Sequence, residues 1–99
     1  MTLTAHSGPD MEIDNEYMTC AVDIEGNTAV IHGHLHIKRW SPGALKHMRK
    51  LFEPIRAELR ERGVKYVLLK SEQDYYRMAR LAYMWGFRAF CEPYARMEI

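Results

Sequence analysis

The chain has 99 residues, 47% of them hydrophobic, enough for one modest core and too few for a second domain. Fourteen basic residues nearly balance thirteen acidic ones, leaving a formal charge of +1, so no global field recruits nucleic acid or an anionic membrane. No apolar run is long enough to cross a bilayer. Cys20 and Cys91 stand far apart with no paired spacing, so a reduced, cytoplasmic chain is expected, with both thiols as small buried hydrophobes.

Residues 1–15 show no period and read as an N-terminal arm, ordered only against the domain or a partner; without an apolar stretch flanked by positive charge, they are not expected to be a signal peptide. The domain is expected to span residues 16–99. From Tyr17 to Ile24 the residues Met18, Cys20, Val22 and Ile24 are apolar at every second position, the period of a half-buried strand. Gly26 and Asn27 supply a tight turn, and a second alternating run follows. Ala29, Ile31, Gly33, Leu35 and Ile37 lie on one face of it, with Val30, His32, His34, His36 and Lys38 on the other. The two runs predict an antiparallel hairpin.

Ser41 followed by Pro42 is a helix start, because the hydroxyl caps a free amide and proline fits where no amide is needed. Leu45, Met48, Leu51, Phe52, Ile55 and Leu59 then recur at helical spacing, and Pro54 predicts a kink or a helix in two pieces. Gly63 closes that helix, and Val64 to Leu69 predict an inner strand reached by a parallel crossover. Capping residues at 71–74 open a second helix, in which Met78, Leu81, Ala82 and Trp85 form the apolar side and Gly86 the stop. A last strand from Phe87 to Ile99, interrupted at Pro93, completes the order. The fold class expected is α/β (α+β): a small mixed sheet of about four strands, two helices on one face, order β-β-α-β-α-β.

Residues 77–88, with their helix ending in Gly86-Phe87, and the closing Tyr94-Ala95-Arg96-Met97-Glu98-Ile99 are similar to the C-terminal half of the GNAT acetyltransferases. The stretch from Trp40 through the first helix resembles small GNAT-like proteins of tailed phages, including the internal virion protein A group. The family's acetyl-CoA loop, Arg/Gln-x-x-Gly-x-Gly/Ala, presents backbone amides at a helix N-terminus to a pyrophosphate. At that joint this chain has Arg39-Trp40-Ser41-Pro42-Gly43-Ala44, one residue longer and with Pro42 removing a donor. Family enzymes place Asn eleven residues before the Gly and an acid Tyr four before it, where this chain has Tyr75 and Ala82. Tyr83 is displaced by one position, about 100° around the helix. The helices that wall the family's acceptor site have no counterpart in the sequence.

The resemblance with these departures implies a non-catalytic GNAT-like protein-binding module, phage-encoded, acting on a bacterial host protein or in a virion assembly, with no catalytic residues and no cofactor. The alternative is a minimal N-acetyltransferase, holding acetyl-CoA through Ser41, Gly43 and Ala44 and completed by dimerisation. His32, His34, His36 and Trp40 form the expected interaction surface, since helices covering the Ile31 face leave the histidine face bare. No carboxylate or cysteine motif joins the histidines, so no metal is expected. Tyr75, Tyr76 and Tyr83 read as core by default, with a stacking platform as the competing reading. A protein partner or a second copy is expected, with neither nucleic acid nor membrane.

Overall fold

The computed structural model describes residues 10–36, 39, 41–71 and 75–99. Eight elements follow one another: β1 (Met11–Asp14), β2 (Met18–Glu25), β3 (Thr28–Leu35), α1 (Pro42–Glu61), β4 (Tyr66–Ser71), α2 (Tyr75–Trp85), β5 (Ala89–Cys91) and β6 (Tyr94–Glu98). The strands form one mixed sheet in the order β1-β2-β3-β4-β6-β5. Only β3 and β4 run parallel, joined across α1.

Six strands replace the four expected, and the two additions have local causes. Met11 and Ile13 alternate with Glu12 and Asp14, a period-two pattern inside the stretch read as an arm. Asn15 turns the chain: its Oδ1 accepts from the amides of Tyr17 (2.8 Å) and Met18 (2.9 Å), and its own amide donates to Met18 O. That geometry folds β1 back on β2. At the other end Pro93 is not a bulge within one strand. Glu92 and the cis Pro93 form the tip of a hairpin between β5 and β6.

α1 is capped by Ser41, whose Oγ accepts from the Ala44 amide at 3.1 Å. It continues through Pro54 as one helix rather than two pieces, and Pro54 lies on the exposed side, away from the core. Both helices stop in the same way. Val64 N–H donates to Leu59 O and Gly63 N–H to Arg60 O, while Phe87 N–H donates to Ala82 O and Gly86 N–H to Tyr83 O.

The core lies between the helices and a single sheet face. Met48, Phe52, Ile55 and Leu59 of α1 and Met78, Leu81, Ala82 and Trp85 of α2 pack on Met18, Cys20, Val22, Ile31, Val67, Leu69 and Ala95. Leu45, expected in the stripe, is partly exposed instead. Trp85 stacks on Phe52 with ring centroids 4.8 Å apart, and its Nε1 donates to Met48 O at 2.7 Å, tying α2 to α1. Gly33 has a packing reason: a Cβ there would lie 2.9 Å from Met78 Cε.

The two thiols part company. Cys20 is fully buried, and burial pushes its pKa up to about 12, so it stays protonated and inert. Cys91, expected to be buried as well, is exposed because β5 is the last strand of the sheet. A disulfide-exchange reagent at pH 8 should therefore titrate one thiol in the folded protein and both in denaturant. Two fast thiols without denaturant would contradict this packing.

Candidate functional site

The face of the sheet turned away from the helices is uncovered among the described residues. Strand register sets its rows: Ala21, His32, Lys70 and Tyr94 lie side by side on β2, β3, β4 and β6. Asp23, Val30, Leu68 and Arg96 form the next row. Val30 and Leu68 are half-buried at the centre, with Asp23 and Arg96 at the ends of their own row and His32 and Lys70 beside them in the other.

The three histidines share this face, as their spacing implies, but they do not converge on one point. His32 Nε2 lies 3.4 Å from Asp23 Oδ2. His36 Nε2 and Thr19 Oγ1 are hydrogen-bonded at 2.7 Å, and Thr19 Oγ1 also donates to Asp14 Oδ1 at 3.0 Å. His34 and His36 rings are 5.4 Å apart. Among the described residues no group of three or more His, Cys, Asp or Glu side chains is arranged to hold a metal ion. The face is thus a set of local polar pairs, each solvent-exposed and worth no more than about 1 kcal/mol. Trp40, expected at its corner, lies outside the described residues.

Ser41, Gly43 and Ala44 sit together at the start of α1. Pro42 has no N–H, the Ala44 amide is held by Ser41 Oγ, and Leu45 N–H makes the first helical bond to Ser41 O. Of the first three amides of the helix, Gly43's alone stays unbonded among the described contacts. In α2, Ala82 is fully buried while Tyr83 points outward, 57% exposed, as its displacement of one position requires.

A second surface follows the competing reading of the tyrosines rather than the default one. Tyr76 and Tyr83, read as core by default, are exposed, and with Tyr75, Ala79, Arg80 and Phe90 they line an open groove of about 510 Å³ between α2 and β5. Tyr83 and Phe90 stack at 6.5 Å, Tyr75 and Tyr76 meet edge-on at 5.8 Å, and the Arg88 guanidinium lies 3.8 Å from the centre of the Tyr83 ring. Burial, then Glu92, Cys91 and Tyr76, hold the Tyr75 phenol above its ordinary pKa, so it remains a neutral donor. The signal was present in the sequence: positions 76, 80 and 83 repeat at helical spacing opposite 78, 81, 82 and 85, giving α2 two stripes rather than one.

No family model matches the chain, and no curated protein matches it. No helix among the described residues is long and apolar enough to cross a membrane.

Proposed function

We propose that this chain is a non-catalytic GNAT-like module that binds a protein in the cytoplasm of a bacterial host, either a host factor or another copy in an assembly, through its open sheet face. The observation that carries the reading is the first turn of α1. A pyrophosphate at a helix N-terminus is held by several unspent amides. Here one is absent at Pro42 and one is taken by Ser41, which leaves Gly43.

Two further features support it. The elements β2, β3, α1, β4, α2 and β6 follow the order that the resemblance implies, including the parallel crossover. The buried Ala82 stands where an acid Tyr would be needed. The face built around Val30 and Leu68, ringed by Asp23, His32, Lys70 and Arg96, suits a protein partner: an apolar centre with a polar rim.

Isothermal titration with acetyl-CoA is expected to give no heat of binding, and intact mass spectrometry of the purified protein no co-purifying CoA. Micromolar acetyl-CoA affinity with turnover of an amine would overturn the proposal and return the chain to the minimal acetyltransferase reading, with Ser41, Gly43 and Ala44 as the loop.

A further inference from the structure

β5 ends the sheet and pairs only with β6 among the described residues, so its outer backbone edge offers donors and acceptors to another strand. Phe90 at its centre is in register with the buried Ala95, which puts its ring on the helix side of the sheet, against Tyr83. A strand laid along β5 would turn every second side chain to that same side, over the aromatic groove. The edge and the groove are two halves of one mode of recognition, in which main-chain hydrogen bonds give affinity and pockets for alternate side chains give specificity.

Charge names the partner's chemistry. Arg80 is the charged residue of the groove lining, and neither α2 nor β5 carries a carboxylate. Arg88 lies over Tyr83 with its Nη1 donating to two carbonyl oxygens, Tyr83 O at 2.8 Å and Phe87 O at 2.7 Å, rather than to an acid. Glu92, at the hairpin tip, is felt by Tyr75 at one end of the groove but is not among the residues that line it, and Arg80 lies within the lining. We infer that the edge of β5 and the groove of Tyr75, Tyr76, Ala79, Arg80, Tyr83 and Phe90 take an extended acidic segment of a partner protein, with apolar side chains at alternate positions. This surface lies on the helix side and stands whether or not the open face binds anything. A nucleic acid strand would also stack on tyrosines, but the lining is mostly apolar and lacks the row of cations that tracks a phosphate backbone.

The test is nuclear magnetic resonance of the full, ¹⁵N-labelled chain. The probes are a short end-blocked peptide alternating tryptophan or valine with glutamate, its counterpart with lysine for glutamate, and a thymidine oligonucleotide. Expected are amide shifts centred on Ala89, Phe90 and Cys91 with the acidic peptide, and about tenfold weaker binding of the lysine peptide. Tyr83→Ala and Phe90→Ser, both at exposed positions, should each weaken the acidic peptide about tenfold, the scale of one hot-spot ring. Arg80→Glu should reverse the peptides' order while leaving the spectrum folded. The inference is overturned by the absence of shifts up to about 1 mM peptide. It is equally overturned by shifts confined to the His32 face, by tighter binding of lysine peptide or oligonucleotide, or by self-association that protects the β5 edge without peptide.

Discussion

Phe52→Ala is expected to lower the unfolding free energy by about 4 kcal/mol, enough to leave a domain of this size close to its folding threshold. Phe52 is 2% exposed and meets three neighbours at once: Trp85 in a near-parallel stack at 4.8 Å, Phe87 at a tilt and 5.8 Å, and the Arg56 guanidinium 5.8 Å from its centre. Truncation removes the surface against which α2 and the strand-leading Phe87 are held. The surrounding rings are too rigid to collapse into the space, so the cavity term adds to the lost transfer energy. Urea unfolding followed by tryptophan fluorescence reads the effect directly. A loss below about 1.5 kcal/mol at an unchanged m-value would mean that this ring does not fill the core as described.

The second large effect separates two glycines that sequence reasoning treats alike. Gly63 and Gly86 both end helices with positive φ, +81° and +109°. The first lies near the left-handed basin, and a Cβ there meets nothing within 4 Å. Gly63→Ala should therefore cost about 1 kcal/mol. Gly86 lies farther from that basin, in backbone space that side chains rarely adopt, and its added Cβ would stand 3.0 Å from Met97 Cε. The methionine tip can move, so the larger share of the cost is backbone strain, and Gly86→Ala should lose about 2–3 kcal/mol. The turn also aims Phe87 into the core, where it is fully buried. Thermal unfolding of the two variants side by side decides it: equal losses would show that the turns do not differ as their dihedrals say.

Much of this architecture was legible because most of its signals are local. The alternation of Met18, Cys20 and Val22, the Gly26-Asn27 turn, the Ser41-Pro42 cap and the glycine stops each depend on a few neighbouring residues, and β2 through α2 follow them in order. Of the candidate site, the shared face of His32, His34 and His36 follows from strand period alone. Their partners do not, since Asp23, Thr19 and Asp14 come alongside only through strand register.

What the chain's order of residues determined by itself was which segments have a face to bury: a period of two or of 3.6 states that much. Only the tertiary structure decided what lies opposite each face. Four alternating residues at Met11–Asp14 become a strand because β2 has a free edge beside them, and one proline becomes a hairpin tip because β6 must return beside β4. The second stripe of α2 stays exposed because the sheet ends at β5, and no described residue reaches past it to cover Tyr76 and Tyr83. Periodicity records a residue's neighbours along the chain, whereas burial is set by contacts between segments far apart in it.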